Sequence, residues 1–198
     1  MLESELKIKI ESHADIYSRL GGDFKIVGGY FSKDIYFDSE KFDFSKNDKV
    51  FRLRKQSDKF FITFKGSRQS DNTLIIRDEY EVGITDYEIG YKIIHSLGFK
   101  PCEIVEKRRV EINYFKFENL KIFLDTLPFI GDFMEVEGEK TDILKMIEFI
   151  NLDLNNSTQL NYSELFLKYC DENSILLKNP RMQFTFYDEN MYYKKRQQ

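Results

Sequence analysis

Two features that define common classes of protein are scarce in this 198-residue sequence. It has only two cysteines, Cys102 and Cys170, which are too few for a disulfide framework or a cysteine-based zinc site. We expect both to be free thiols in a reducing compartment. No apolar run approaches the roughly 20 residues of a membrane span, and the acidic N-terminus lacks the layout of a signal peptide. We therefore expect a cytoplasmic protein with no membrane partner.

The sequence also lacks a strong net charge, because 30 lysines and arginines face 34 aspartates and glutamates, a balance of -4. A nucleic-acid-binding domain usually carries a basic patch or stripe, so we expect no nucleic-acid partner. No glycine-rich phosphate loop follows a predicted strand, and no serine or cysteine is arranged with a histidine as a nucleophile. Any phosphate-binding function must therefore depend on lysine and arginine concentrated in one place.

Aromatic residues are abundant instead. The sequence contains 19 Phe and 12 Tyr with almost no alanine, which favours β-strands over a helical bundle. Its length fits one domain, or one domain with a small appendage. Alternation of apolar and polar residues predicts strands at 2–11, 25–38, 49–55, 59–65, 74–83, 103–113, 120–127 and 132–138. Within 25–38, the pair Gly28-Gly29 predicts a turn between two strands.

Four segments have the period of a helix. A short helix is predicted after Ser12, and Thr85 with Glu88 forms a capping box for a second helix. The predicted apolar face of this second helix consists of Ile89, Ile93, Ile94 and Leu97. Further helices are predicted from Thr141 and over residues 163–169. Residues 171–198 are predicted to form a solvated or partly ordered extension of unknown role.

Ionised side chains recur at every second position of the predicted strands. In the first strand Glu3, Glu5 and Lys7 point to one face, and the apolar residues between them point to the other. Such a charged face is usually the solvent face of an antiparallel sheet. However, a solvent face tolerates Ser, Thr, Asn and Gln freely, whereas these mid-strand positions are repeatedly Glu, Lys or Arg. A closed barrel with the charged face inside is the alternative that this repetition favours.

Charges inside a barrel need partners, because burying an uncompensated charge costs several kcal/mol or more. An anionic ligand would compensate the bases, and a hard metal ion would compensate the acids. Arginine presents a planar fork that matches phosphate oxygens, and carboxylate oxygens suit Mg²⁺ or Mn²⁺. The charged strands therefore predict a small-molecule triphosphate ligand together with a divalent metal.

Several motifs resemble one known family. Glu3-x-Glu5-x-Lys7 resembles the signature of the CYTH superfamily, the triphosphate tunnel metalloenzymes. Further segments resemble that family in the same order, and they lie at 33–38, 51–54, 63–66, 77–81, 106–109, 131–137 and 161–165. The segment 34–38 is closest in style to class IV adenylate cyclase-like proteins. The resemblance covers roughly residues 1–170, which we treat as the CYTH domain, with 171–198 as the extension.

The resemblance implies an α+β fold, with a closed eight-stranded antiparallel β-barrel forming a tunnel and helices packed outside. The implied catalytic residues are Glu5, Lys7 and Glu135. The implied phosphate-binding residues are Lys7, Arg52, Arg54, Lys65, Arg77, Lys107 and Arg109. The implied ligands of Mg²⁺ or Mn²⁺ are Glu3, Glu5, Glu79, Glu81, Asp125, Glu135 and Glu137.

Three functions remain open at this point. The first is a class IV adenylate cyclase-like enzyme that converts ATP to cyclic AMP and pyrophosphate. The second is a hydrolase of thiamine triphosphate, a nucleoside triphosphate or tripolyphosphate. The third is a non-catalytic module that binds a nucleotide or polyphosphate, although a pure polyanion binder gains nothing from so many carboxylates. The sequence leaves a homodimer open as well.

Overall fold

Eight antiparallel strands form a closed barrel in the computed structural model, which describes residues 2–175 and 182–196. The strands are β1 (Leu2–Lys9), β2 (Phe24–Asp38), β3 (Val50–Gln56), β4 (Lys59–Lys65), β5 (Ile75–Ile84), β6 (Lys100–Tyr114), β7 (Lys121–Leu127) and β8 (Gly131–Glu137). They pair in the order β2-β3-β4-β5-β1-β8-β7-β6, and β6 closes the barrel by pairing with β2. The predicted fold is confirmed.

Five helices of the described residues pack outside the barrel. They are α1 (His13–Leu20), α2 (Tyr87–Ser96), α3 (Lys140–Phe149), α4 (Tyr162–Glu172) and α5 (Phe186–Arg196). As predicted, Ser12 caps α1, because its hydroxyl accepts a hydrogen bond from the Asp15 backbone N–H. At the start of α4, Asn161 and Glu164 form a capping box. No described helix is both long and apolar enough to cross a bilayer.

The main hydrophobic core lies outside the barrel wall, between the strands and the helices. Leu6 and Ile8 of β1 and Met134 of β8 are fully buried there, together with Ile143 and Ile147 of α3. Because side chains alternate along a strand, the residues between these apolar positions point into the barrel. The core therefore holds the charged faces of the strands toward the interior.

One long strand replaces the two strands predicted over 25–38. Gly28 and Gly29 do not form a turn; they pair with Glu111 and Val110 in the β2–β6 ladder. The prediction of a turn is wrong because β6 is as long as β2 and offers a partner along its whole length. A register shift between Ile26 and Gly28 takes up the local irregularity as a bulge.

Of the apolar face predicted for helix α2, only Ile94 is buried. Gly90 and Ile94 are its buried residues, whereas Ile89, Ile93 and Leu97 are exposed. The cap is Asp86 rather than Thr85, since the Asp86 carboxylate accepts a hydrogen bond from the Ile89 backbone N–H. A Cβ atom at Gly90 would lie 2.5 Å from Ile84 Cδ1, so the helix approaches the barrel most closely at its glycine. This close approach explains why the residue one helical turn before Ile94 on the buried face is a glycine and not a large apolar residue.

The C-terminal extension packs against the barrel instead of forming a solvated tail. Its strand β9 (Met182–Phe184) pairs in parallel with Glu103–Val105 of β6, where β7 does not reach. Phe184 is fully buried and stacks on Phe166 of α4, with ring centroids 4.4 Å apart. The prediction of a solvated tail is wrong for residues 182–196, because their aromatic side chains complete an apolar cluster. The rest of the predicted tail beyond 175 lies outside the described residues.

Replacing Phe184 with alanine should therefore destabilise the protein. We expect Phe184→Ala to lower the free energy of unfolding by about 3–5 kcal/mol, as for other buried phenylalanines. Urea denaturation followed by circular dichroism measures this change. The control is Tyr187→Ala, because Tyr187 is 70% exposed and its loss should cost less than about 0.5 kcal/mol. Equal stability of the two variants would contradict the packed position of β9.

Candidate functional site

The interior of the barrel is a cavity of about 1410 Å³. Predicted site residues from six strands converge on it, since each occupies an inward position of its strand. Those that line the cavity are Glu3, Glu5, Lys7, Arg52, Arg54, Lys65, Arg77, Glu79, Glu81, Lys107, Arg109, Glu135 and Glu137. Asp125 is the exception among the predicted residues. Neither histidine of the sequence, His13 of α1 or His95 of α2, lines the cavity.

Three carboxylates form the most concentrated acidic group. Glu3, Glu5 and Glu137 each place one carboxylate oxygen within 4.8 Å of the others. Strand pairing brings them together, because Glu5 lies opposite Glu137 in the β1–β8 ladder and Glu3 follows on the same face of β1. Burial, and next the charge of Glu5, raises the pKa of Glu137. This all-oxygen donor set fits Mg²⁺ or Mn²⁺.

Glu3 also shares a proton with a carboxylate of the neighbouring strand. Burial and the hydrogen bond with Glu79 raise the pKa of Glu3 to about 8. Burial alone would raise the pKa of Glu79, but the hydrogen bond from Glu3 and the charge of Lys65 lower it to about 2. Lys65 Nζ lies 3.1 Å from Glu3 Oε2 and 2.7 Å from Glu79 Oε2. The pair therefore holds one proton beside one lysine when no cation is bound.

Glu81 lies closer to solvent than the other predicted acids. Its side chain is 37% exposed, and Oε2 accepts a hydrogen bond of 2.8 Å from Thr63 Oγ1. Arg52 Nη2 lies 3.7 Å from the same oxygen. Glu81 therefore lines the cavity apart from the cluster of Glu3, Glu5 and Glu137.

Lys7 connects the acidic group to the opposite side of the cavity. Its Nζ donates to Glu5 Oε1 at 2.8 Å and lies 3.3 Å from Glu135 Oε1. Burial favours the neutral amine, but the charges of Glu5 and Glu135 outweigh it and raise the pKa of Lys7. Glu135 also contacts the guanidinium of Arg109. Lys7 is thus held as an ammonium ion between the carboxylates of Glu5 and Glu135, both of which are predicted catalytic and metal-binding residues.

Asp34 holds two of the predicted phosphate-binding arginines. Arg54 donates to it through Nε and Nη2, both at 2.7 Å, and Arg52 Nη1 lies 3.4 Å from Asp34 Oδ2. Burial alone would raise the pKa of Asp34, but the charges of Arg54 and Arg52 hold it well below its usual range. We did not predict Asp34 as a site residue. Its position in the family-like segment 33–38 was the available signal, but the pairing with Arg54 depends on the β2–β3 register.

Asp125 holds Lys107 and Arg109 in the same way. It is fully buried, and its oxygens accept hydrogen bonds from Arg109 Nε at 2.6 Å and from Lys107 Nζ at 3.0 Å. Tyr162, the first residue of α4, adds a third donor through its hydroxyl at 2.9 Å. Asp125 is absent from the cavity lining and lies behind these bases. This position suits a residue that orients Lys107 and Arg109 better than a direct metal ligand.

Tyr162 lies in the family-like segment 161–165 but is not among the predicted site residues. Lys7 Nζ lies 4.6 Å and Lys107 Nζ 5.5 Å from the centroid of its ring. Burial, followed by the charges of Asp125 and Glu135, raises its pKa well above the usual value. Its hydroxyl therefore stays protonated and donates to Asp125. Helix α4 thereby fixes the basic side chains from outside the barrel sheet.

The lysines and arginines that line the cavity form a basic wall, and some of their hydrogen-bond donors lack an acceptor among the described residues. The Nε atoms of Arg52 and Arg77 are buried and donate to no atom of residues 2–175 or 182–196. Burial and the nearby Arg109 charge lower the pKa of Lys107 to about 8. Crowded positive charges and unsatisfied donors are costly without a partner, and an anion with many oxygens would satisfy both. The wall fits a polyphosphate.

Comparison with known proteins gives the family. A model of the CYTH domain matches residues 1–167. The chain belongs to the CYTH domain family. A Methanocaldococcus jannaschii protein named "Putative adenylate cyclase MJ0240" is 31% identical over 173 residues, which cover 83% of this chain and 98% of that protein.

Solved structures share the fold of this CYTH protein. Pyrococcus horikoshii PH1819 is 26% identical with a TM-score of 0.69, covering 84% of this chain and 98% of that one. Pyrococcus horikoshii PH1012 is 25% identical with a TM-score of 0.70, covering 82% and 98%. The Hippeastrum protein HpAC1, described as having a dominant triphosphatase activity, has a TM-score of 0.65, with coverage of 89% and 97%. At 15% identity, it shows the fold alone.

Divalent metal binding should release the proton that Glu3 shares with Glu79. The pKa of Glu3 is raised to about 8, so below that pH a cation must displace the proton, and above it the carboxylate is already free. We expect the apparent affinity for Mg²⁺ to rise with pH up to about 8 and then to level off. Calorimetric titration with MgCl₂ in buffers of different ionisation enthalpy measures proton release. In Glu3→Gln this release should disappear, whereas affinity independent of pH in the unsubstituted protein would contradict the shared proton.

Proposed function

We propose that this CYTH protein is a divalent-metal-dependent enzyme that acts on a triphosphate in its tunnel. We further propose the class IV adenylate cyclase-like reaction, in which ATP gives cyclic AMP and pyrophosphate. The observation that carries the proposal is that a basic wall and the Glu3, Glu5, Glu137 cluster share one cavity. Bases alone would serve to bind a polyanion. The acids repel it unless a cation lies between them, which is the arrangement of metal-assisted phosphoryl chemistry.

The residues of the basic wall have a direct role in this proposal. Arg52 and Arg54, oriented by Asp34, hold oxygens of the β- and γ-phosphates, and Lys65 adds a point charge from β4. Because Asp34 fixes the two guanidinium groups in advance, little side-chain freedom is lost when the phosphates bind. These residues stabilise the negative charge that develops on the leaving pyrophosphate.

The acidic side of the cavity, together with Lys7, acts at the reacting centre. The ribose 3′ oxygen forms a bond to the α-phosphorus, the bond from that phosphorus to the bridging oxygen of pyrophosphate breaks, and the hydroxyl proton passes to solvent. Lys7, held charged by Glu5 and Glu135, neutralises the α-phosphate. Held by Glu3, Glu5 and Glu137, Mg²⁺ or Mn²⁺ would supply Lewis-acid neutralisation of phosphate charge.

The name of the M. jannaschii relative supports the cyclase among the reactions that such a site can run. A hydrolase would use the same basic wall and acids but direct water at a terminal phosphorus. The product assay separates them. We expect purified protein with ATP and Mg²⁺ or Mn²⁺ to yield cyclic AMP and pyrophosphate in equal amounts, and no product after chelation of the metal. Chromatography and phosphate detection measure this outcome; inorganic phosphate without cyclic nucleotide would reject the cyclase and support the hydrolase.

Substitutions in the cavity test the proposed roles. We expect Glu5→Gln, Lys65→Ala and Glu135→Gln each to lower kcat by about 100-fold to 1,000-fold, the usual loss for one charge-stabilising group. Initial rates under saturating ATP and metal measure the effect. Matched controls outside the cavity are Glu118→Gln and Lys59→Ala, both at exposed positions, which should keep full activity. Unchanged turnover in all three cavity variants would defeat the site assignment.

A further inference from the structure

Glu103 is an acid of the tunnel that the proposed chemistry does not use. It lies on the inward face of β6, four residues before Lys107, and lines the same cavity. Its Oε1 is shielded from solvent and accepts no hydrogen bond from any part of the chain that the structure describes. Its carboxylate has a side-chain hydrogen bond with Ser163 of α4. A buried acceptor in the cavity thus lacks a partner.

The surroundings of Glu103 differ from the rest of the tunnel. Tyr36 lies directly opposite in the β2–β6 ladder, and Val105 follows on the same face of β6. Leu167, one helical turn after Ser163, lines the cavity as well. Within the described residues Glu103 has no ion pair with a lysine or arginine. Burial raises its pKa to about 7, and the hydrogen bond with Ser163 only partly opposes this shift.

The end of the tunnel around Glu103 and Tyr36, which carries fewer charges, is continuous with the basic wall. Tyr36 is also the register partner of Arg52 in the β2–β3 ladder, so the two regions meet at one strand position. Four residues along a strand separate Glu103 from Lys107, a distance of about 13 Å along β6. In the proposed function the α-phosphate lies at Lys7, whose Nζ is 4.6 Å from the ring centroid of Tyr162, and the next residue, Ser163, has a hydrogen bond with Glu103. The organic part of the substrate therefore extends from the α-phosphate toward Glu103 and Tyr36.

We infer that this end of the tunnel binds the base of a nucleoside triphosphate, and that Glu103 recognises a ring edge with an amino group beside a ring nitrogen. Adenine has such an edge. One carboxyl oxygen accepts from the amino N–H, and in the protonated form the other donates to the ring nitrogen. Tyr36 offers an aromatic side chain against which a base can stack. The inference rests on the proposed function, since it assigns the organic end of the same substrate.

The test compares ligands that share the phosphates but differ at the base. The ligands are ATP, purine riboside triphosphate, which has a hydrogen atom in place of the amino group, and tripolyphosphate, which has no base. Calorimetry with Mg²⁺ in excess gives their affinities for the unsubstituted protein, Glu103→Met and Glu103→Gln. Methionine fills the space without accepting strong hydrogen bonds, whereas glutamine keeps one acceptor and a donor. Thermal melting verifies that both variants fold.

We expect Glu103→Met to weaken ATP binding at least about tenfold, the usual value of a two-bond contact to a base edge. It should leave the affinity for tripolyphosphate within about twofold and abolish the preference for ATP over purine riboside triphosphate. Glu103→Gln should retain that preference. Glu106→Met is the control, because this adjacent acid of β6 does not line the cavity; it should bind all three ligands normally.

Several results would overturn the inference. Equal losses for ATP and tripolyphosphate in Glu103→Met would show a general effect on the tunnel, and unchanged ATP binding would remove Glu103 from recognition. Loss of the preference for ATP in Glu103→Gln would exclude the two-bond contact. If the unsubstituted protein binds tripolyphosphate but shows no preference for ATP over purine riboside triphosphate, only this inference fails. If it binds none of the three ligands, the proposed function fails with it.

Discussion

Compensation of buried charge is the constraint on which this structure depends. Closing the barrel turns one face of every strand inward, and in this chain those faces carry acids and bases in alternation. Part of the compensation is internal, as between Lys7 and the carboxylates of Glu5 and Glu135. Compensation is incomplete at the acidic cluster, where the charge of Glu5 still contributes to raising the pKa of Glu137, and at the Nε atoms of Arg52 and Arg77, which donate to no described residue. An enclosed site that is incomplete in both signs of charge is suited to a metal and a polyanion together.

Two buried aspartates orient the lysines and arginines of the basic wall. Asp34 orients Arg52 and Arg54, and Asp125 orients Lys107 and Arg109. Both aspartates are almost completely removed from solvent, so each would be costly to bury without its bases. The same contacts that make their burial tolerable also fix the donors in advance, which lowers the entropy lost when phosphate binds.

The outer layers support this interior mechanically. Apolar side chains of β1 and β8 pack on α1 and α3, and this packing is what commits the alternate, charged side chains to the inside. Helix α4 brings Tyr162 to Asp125 and Ser163 to Glu103, so it contributes to the wall of the tunnel as well as to the core. The extension, through Phe184 against Phe166, in turn holds α4 in place. Residues beyond the family domain therefore stabilise an element of the site.

The sequence alone determined which residues share a face, because side-chain direction in a strand depends only on position parity; this is why Glu3, Glu5 and Lys7 were predicted together. It could not determine which acid meets which base. The pairing of Asp34 with Arg54 and the place of Asp125 behind the cavity depend on strand register. Likewise, β2 is continuous because its partner β6 is equally long. Helix α2 buries the face of Gly90 and Ile94 because it packs closely on the barrel at Gly90. Only tertiary structure decides such matters, since they depend on contacts between residues far apart in the chain.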